Sequence, residues 1–291
     1  MIDIVVMTKD DGCFLEQCVN SILETVSVEY RIFIVDNASS TPLQLDILSQ
    51  LEENESVQVI RNRYNLWVLG LNELLERLYK EGESEYFFLT DADITFPHSV
   101  KGMDCWLDYL VNKMDSNACI GKLGMSLDWG ILEENEELDY ILHQEKSLYN
   151  SKRMISELHI SPVDTTAAIY RWNWSIAGGF KFYPLHMSYL RPELYSCRTP
   201  RSILAVHLGW ELYCKNREEG KIHSTIINSK VLCFSVVAGD IKKTTLDQAS
   251  VHYKYMYYLF KTPMKIYWAF KRIAHGVVYH VKNSLRQYDN T

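Results

Sequence analysis

Acidic residues are missing from residues 251 to 288, a stretch that holds seven Lys or Arg: Lys254, Lys261, Lys265, Lys271, Arg272, Lys282 and Arg286. With Asp289, the last 41 residues sum to +6; the whole chain is −7, so residues 1 to 250 carry −13. An acidic body excludes general nucleic-acid binding by that part, and the basic tail suits an anionic surface. No cysteine pair has Cys-x-x-Cys spacing, which removes the usual zinc and redox motifs. The seven cysteines are odd in number, and Cys13, Cys105, Cys119 and Cys233 sit in apolar runs. Buried, reduced thiols of a cytoplasmic protein are the expectation. No run of 18 apolar residues exists, so no transmembrane helix is expected. Met1-Ile2-Asp3-Ile4-Val5-Val6-Met7 lacks the basic start and cleavage site of a signal peptide. Internal repeats and low-complexity segments are also lacking.

What is present, over the first ninety residues, is an alternation of strand and helix signals. Ile2 to Met7 is an apolar run of strand length, suited to burial on both faces. Phe14, Leu15, Cys18, Val19 and Ile22 repeat at helical spacing. Tyr30 to Val35 reads as a second strand stopped by Asp36-Asn37-Ala38-Ser39-Ser40, all turn formers. Leu43 to Leu51 is helical, and Val57 to Ile60 is a third strand. Trp67, Leu71, Leu74, Leu75 and Leu78 mark another helix, and Tyr86 to Leu89 a fourth strand. Such alternation implies a parallel sheet with right-handed crossovers, whose ligands bind beyond the carboxyl ends of the strands. Thr8-Lys9-Asp10-Asp11, Asp36-Asn37, Arg61-Asn62 and Asp91-Ala92-Asp93 are all expected on that edge. Further on, Glu133 to Glu145 is an acidic helical stretch, Val163 to Tyr170 a strand carrying Asp164-Thr165-Thr166, and Lys221 to Val237 a last strand region.

Asp91 and Asp93, two apart at a strand end, can present two carboxylates to one hard cation. Mg²⁺ and Mn²⁺ prefer oxygen ligands and commonly combine one or two carboxylates with substrate phosphate oxygens. A nucleotide diphosphate leaving group needs such a cation to neutralise its developing charge. The plainer reading is that both residues end a strand as turn or cap residues.

In order, Ile4-Val5-Val6-Met7-Thr8, Ile34-Val35-Asp36-Asn37-Ala38-Ser39, Arg61-Asn62 with Asn65, Gly70 and Asn72, and Leu89-Thr90-Asp91-Ala92-Asp93 resemble the signature of family-two glycosyltransferases. The likeness covers residues 1 to 100 well and 160 to 235 loosely. It implies a GT-A fold: α/β, a Rossmann-like, mostly parallel sheet flanked by helices, here with a C-terminal helical extension. The implied organisation is a transferase domain over 1–240, with nucleotide-sugar-binding and acceptor-binding halves at 1–100 and 101–240, and a basic aromatic extension at 241–291. The implied activity is an inverting hexosyl transfer of bacterial polysaccharide-biosynthesis type, as in capsule or O-antigen assembly. A sugar moves from a nucleotide diphosphate, UDP by analogy, to a glycan or lipid-linked glycan hydroxyl. Thr8 and Asp36-Asn37 would hold base and ribose, and Asn65 base or phosphate. Asp91 would approach ribose and metal, and Asp93 would ligate Mn²⁺ or Mg²⁺. An Asx turn at Asp36-Asn37 and a helix cap at Asn65 are the structural alternatives.

Inversion needs a base to take the acceptor proton. In the family it is an acid just before a helix, downstream of a Gly-Gly-Phe turn, which Gly178-Gly179-Phe180 matches. The usual Glu-Asp pair is replaced here by Leu208-Gly209, so Glu211, then Asp164, then His207 are the candidate bases, with His186 a candidate for the acceptor pocket. In the tail, Pro263 is expected to split residues 251–288 into two helical pieces, whose lysines and aromatics suit the inner face of the plasma membrane. Packing of the aromatics on the domain is the alternative there. Three other functions compete. Asp91-Ala92-Asp93-Ile94-Thr95 also matches the loop of haloacid-dehalogenase phosphatases, with Gly239-Asp240 as their second metal motif, although that loop normally follows the first strand. A sugar-nucleotide pyrophosphorylase lacks support because the glycine-rich basic loop is missing. A non-catalytic sugar-binding protein on the same fold is the third.

Overall fold

The computed structural model describes residues 1–100, 102–103, 105–172, 194–210 and 224–289. Two compact units emerge. One comprises Met1–Ser116, Lys122–Trp172 and Ser196–Glu218; the other comprises Asn117–Gly121, Asn173–Tyr195 and Glu219–Thr291.

The alternating N-terminal pattern folds as expected into β1 (Ile2–Thr8), α1 (Cys13–Thr25), β2 (Tyr30–Asp36), α2 (Pro42–Leu51), β3 (Val57–Arg61), α3 (Asn72–Glu81) and β4 (Tyr86–Asp91). Ile4, Val5 and Val6 are fully buried, which explains a strand with no polar alternation. Leu15, Cys18, Val19 and Ile22 form the buried stripe of α1. The helix expected from Trp67 to Leu78 divides: Trp67–Leu71 is a 3-10 segment and α3 follows it. Gly82 ends α3 in the left-handed region, φ 68°, with its N–H on the Leu78 carbonyl.

Downstream lie β5 (Ile94–Thr95), α4 (Trp106–Ser116), β6 (Ile120–Gly124), β7 (Ser126–Leu127), α5 (Gly130–Glu133), α6 (Asp139–Ser147), β8 (Met154–Ile155), β9 (Leu158–Ile160), β10 (Ala168–Arg171), β11 (Tyr195–Arg198) and β12 (Leu204–His207). The main sheet runs β3-β2-β1-β4-β10-β6-β11-β9-β8, and a small one runs β5-β12-β7. The pairs β3–β2, β2–β1 and β1–β4 are parallel, and β10 enters antiparallel to β4. Chain order reverses between β1 and β4, so the crevice of this sheet opens where those two strands end. β10 is shorter than the Val163–Tyr170 expectation, and Asp164-Thr165-Thr166 precede it.

Trp106 supports that edge from below. It is fully buried, stacks on Phe96 at 4.2 Å and meets Phe88 of β4 at 4.8 Å. Its Nε1 donates to Thr25 Oγ1 at 2.8 Å, so the indole nitrogen is satisfied inside the core.

In the second unit, α7 (Ser224–Val236), α8 (Lys243–Gln248) and α9 (Val251–Asp289) surround Ile227, Val231, Leu246, Ala249 and Tyr257. Two expectations are corrected here. The strand region expected over Lys221 to Val237 is helical across Ser224–Val236, because Ile227 and Val231, four apart, reach the same cluster; packing overrides the β-branched propensity. Pro263 does not split α9. On one side of the proline, Tyr257 donates to the Gly239 carbonyl; on the other, Trp268 Nε1 donates to the Val236 carbonyl at 2.7 Å. Both halves are thereby fixed to one support, which offsets the single backbone bond that proline removes. Among the described residues no helix is long and apolar enough to cross a membrane. Cys18, Cys105, Cys119, Cys197 and Cys233 are buried, whereas Cys13 is exposed because it opens α1 on the outer face.

Trp106→Ala should lower the unfolding free energy by about 3–5 kcal/mol in urea denaturation. A loss below ~1 kcal/mol would show that β4 does not depend on this packing.

Candidate functional site

The register of the parallel strands lines up the polar ends. Thr8 is level with Asp36, Asp36 with Arg61, and Met7 with Asp91. At the end of β1, Gln44 Nε2 donates to Thr8 Oγ1 at 2.9 Å, and Thr8 donates on to Asp11 Oδ2 at 3.2 Å. Asp10 turns the other way, with φ 56°, and its Oδ1 accepts from the Ser40 and Thr41 N–H groups. The loop after β1 is therefore laced to the loop after β2, and Asp11 is the carboxylate left facing inward. Asp11 was not singled out by the sequence reading; in an Asp-Asp pair inside a turn, nothing local says which side chain points in.

Asp36 is buried, 2 % exposed. Its Oδ2 accepts from Ser39 N–H at 3.1 Å, the anticipated Asx turn, while Oδ1 is buried without a hydrogen-bond partner. Asn37 has a different task. Its Oδ1 accepts from Asn62 Nδ2 at 3.0 Å and its Nδ2 donates to the Trp67 carbonyl at 3.3 Å. The side chain ties the end of β2 to the 62–67 loop. A Cβ at Gly70 would come within 2.6 Å of Asn37 Oδ1, so this clamp closes only over a glycine. Asn65 is exposed, and its Oδ1 accepts from Trp67 N–H at 2.9 Å, capping the 3-10 segment. Arg61 pairs with Glu52 on the outer surface.

Asp91 ends β4. Thr166 donates to its Oδ2 at 2.9 Å, with Thr165 at 3.5 Å from Oδ1. Asp93 follows, and its Oδ1 is buried without a hydrogen-bond partner. Burial, then the charges of Asp93 and Asp164, push the Asp91 carboxyl up to about 7. Burial, then the charge of Asp11, pushes Asp93 up to about 7 as well. The site thus holds several carboxyls that resist ionising together. Asp164 is exposed and accepts from Thr165 N–H through its own Oδ1.

The pairing of β12 with β5 sets His207 level with Ile94, beside this cluster. His207 stacks on Trp210 with centroids 4.8 Å apart, and its Nδ1 lies 3.5 Å from Asp93 Oδ2. The distance would suit an ion pair, but burial lowers His207 to about 4 while Asp93 rises. Near pH 7 the imidazole is neutral and the contact is not an ion pair. Gly209 completes the wall, since a Cβ there would overlap Asp93 Oδ2. Glu211, His186 and Gly178-Gly179-Phe180 lie outside the described residues.

The structure therefore brings together Thr8, Asp36, Asp91, Asp93, Asp164 and His207, and adds Asp11. Asn37 and Asn65 serve the loop that frames them. Residues 3–125 match the model described as Glycosyl transferase family 2. An α/β sheet with flanking helices is what the resemblance implied, and the chain has one. No curated protein sequence matches the chain. Among solved structures, mannosyltransferase PcManGT from Pyrobaculum calidifontis, in complex with GDP-Man and Mn²⁺, is similar at 12% identity and TM-score 0.47, over 99% of this chain and 80% of that one. TarS 1–349 of S. aureus in complex with UDP is similar at 12% identity and TM-score 0.46, over 89% and 70%. GalNAc-T7 with UDP, GalNAc and Mn²⁺ matches at 16% identity and TM-score 0.48, over 81% of this chain and 48% of that one.

The residues at the end of β4 fit a divalent cation. Asp91 and Asp93 offer hard oxygen donors, and Asp93 Oδ1 has its hydrogen-bonding capacity unfilled. Among the described residues no group of three or more His, Cys, Asp or Glu that could hold a metal ion is found.

A pH prediction follows with a definite sign. A carboxyl whose folded pKa lies above its ordinary 3.8 contributes stability below that value and loses it as pH rises through about 7. The ligand-free protein should lose thermal stability from about pH 4 to about pH 7 and level off above that. Asp93→Asn should flatten that decline and stabilise the ligand-free protein by ~2 kcal/mol near pH 8. Differential scanning fluorimetry across pH checks it; a destabilised Asp93→Asn near pH 8 would contradict the repulsion.

Proposed function

We propose that the chain is an inverting glycosyltransferase that takes a sugar from a nucleotide diphosphate, UDP first among the candidates, with a divalent cation held at Asp93 and Asp91. The supporting observation is the pair of buried, unfilled carboxylate oxygens, Asp36 Oδ1 and Asp93 Oδ1, at the ends of strands in one parallel sheet. A nucleotide sugar fills both needs. Asp36 accepts from ring or hydroxyl donors of the nucleoside, beside Thr8. Asp91 and Asp93 hold the cation, which supplies charge neutralisation to the departing diphosphate. Mn²⁺ and Mg²⁺ both satisfy this donor set.

In the transfer, the acceptor hydroxyl oxygen bonds to the anomeric carbon as the bond from that carbon to phosphate oxygen breaks. The hydroxyl proton passes to a protein base. Glu211 is the first candidate; Asp164, whose charge reaches Asp91, and His207, neutral at pH 7 and hence able to accept a proton, are the others. The acceptor is a glycan or lipid-linked oligosaccharide, which places the reaction in polysaccharide assembly at the cytoplasmic leaflet. The phosphatase reading is disfavoured. The Asp91 loop follows a fourth strand rather than a first, and Asp240 of the rival motif is an exposed partner of Lys261.

Calorimetric titration of UDP, GDP, CDP and TDP with and without Mn²⁺ tests the donor site. One nucleotide should bind with Mn²⁺, and Asp93→Ala should weaken it at least tenfold. Absence of binding by all four would overturn the reading. Glu211→Ala, Asp164→Ala and His207→Ala should each keep nucleotide affinity, and the base should be the one whose loss lowers kcat by about 10²–10⁴.

A further inference from the structure

α9 has a buried face and an opposite one that nothing in its own unit covers. Tyr257 and Trp268 are buried, at 4 % and 3 % exposure, and His275 lies on the same side, 3.3 Å from the Ala118 carbonyl. At 100° per residue these three fall within about 20° of one direction. Around the far side of the helix stand Leu259, Ile266, Phe270, Ile273, Val277 and Val281, spaced by four or three except for the first step of seven. Each of the six is more than half exposed, between 53% and 69%. Tyr255 and Thr262 continue the stripe on the same side, and it carries no charged residue along about 40 Å of helix. An exposed apolar face of that length in an otherwise acidic protein marks an interaction surface.

We propose that this face of α9 lies in the interface of an anionic lipid bilayer, parallel to its plane. The charge of the helix selects the occupant. Every charged residue from Ala249 to Tyr288 is basic. Lys254 and Lys261 are engaged on the packed side, with the Asp247 carbonyl and the Asp240 carboxylate. Lys265 is exposed beside the stripe on one side; on the other, Lys271 is exposed nearer the packed face and lies over Tyr267, 5.6 Å from its ring centroid, and both stems are long enough for the ammonium groups to reach headgroups. A second copy of the same helix would set cations against cations along the whole seam, with no acidic side chain to pair them. Anionic headgroups complement both borders at once, while Phe270 and its neighbours enter the acyl boundary. The stripe belongs to α9 alone, so the inference goes beyond the transfer chemistry and does not depend on it.

Vesicle co-sedimentation of the full chain tests this without donor or acceptor. The protein should pellet with phosphatidylglycerol–phosphatidylcholine vesicles at low salt, and not with pure phosphatidylcholine. Phe270→Glu/Ile273→Glu, and separately Lys265→Glu/Lys271→Glu, should each lower the partition coefficient at least tenfold, with helix content by circular dichroism unchanged. All four positions are exposed, so the fold should tolerate them. Wild-type protein that fails to pellet with anionic vesicles would overturn the proposal. So would apolar-face variants that bind as wild type does, or a dimer in sedimentation equilibrium that Phe270→Glu/Ile273→Glu dissociates.

Discussion

Burial of several carboxyls beyond the ends of the parallel strands is the constraint around which the N-terminal unit is organised. Asp91 and Asp93 lie at the end of β4 and Asp11 turns in from the loop after β1; burial first, then the charges of Asp93 and Asp11 on Asp91 and of Asp11 on Asp93, raise their proton affinity. A fold does not accumulate buried acids without cost, since each must be neutralised or paired. Thr165 and Thr166 satisfy part of Asp91, but Asp93 Oδ1 is left unfilled. Under the proposed function the same carboxylates form part of a coordination shell around a cation, whose other ligands are diphosphate oxygens.

The surrounding structure serves that edge. Parallel pairing aligns Thr8, Asp36 and Asp91 to within a residue, and reversal of strand order between β1 and β4 opens the crevice beside them. Asn37 and Asn62, closed over Gly70, hold the loop beside Asp36 in place. Trp106 and Phe96 back β4, while Gly209 admits the Asp93 carboxylate where any larger residue would collide with it. These are reasons for residue choices that the site's own chemistry does not explain.

Much of this was legible in the chain because β1, β2 and β4 are short apolar runs that stop abruptly at polar residues. Burial on both faces leaves such strands no other pattern, and their ends advertise the site. The position of Asp36, Asp91 and Asp93 on one edge was accordingly readable from order and spacing. Asn37 was grouped with the ligands because adjacency does not reveal that its amide bridges to residues 25 to 30 positions away. Asp11 was hidden for the converse reason, since only the left-handed turn at Asp10 decides which of the two acids faces inward. In the second unit, the β-branched run of α7 carries a strand propensity that contact with Leu246 and Tyr257 overrides, and Pro263 reads as a break unless the anchors on both sides of it are known.

On the proposed function, Asp91 and Asp93 hold the cation of a nucleotide sugar, with Asp36 against the nucleoside. Anomalous diffraction from crystals soaked with UDP and Mn²⁺ tests it most directly. The manganese peak is predicted in direct coordination with Asp93 and the diphosphate oxygens, with the nucleoside against Asp36. Nucleotide bound elsewhere on the chain, or manganese held away from both Asp91 and Asp93, would contradict the account.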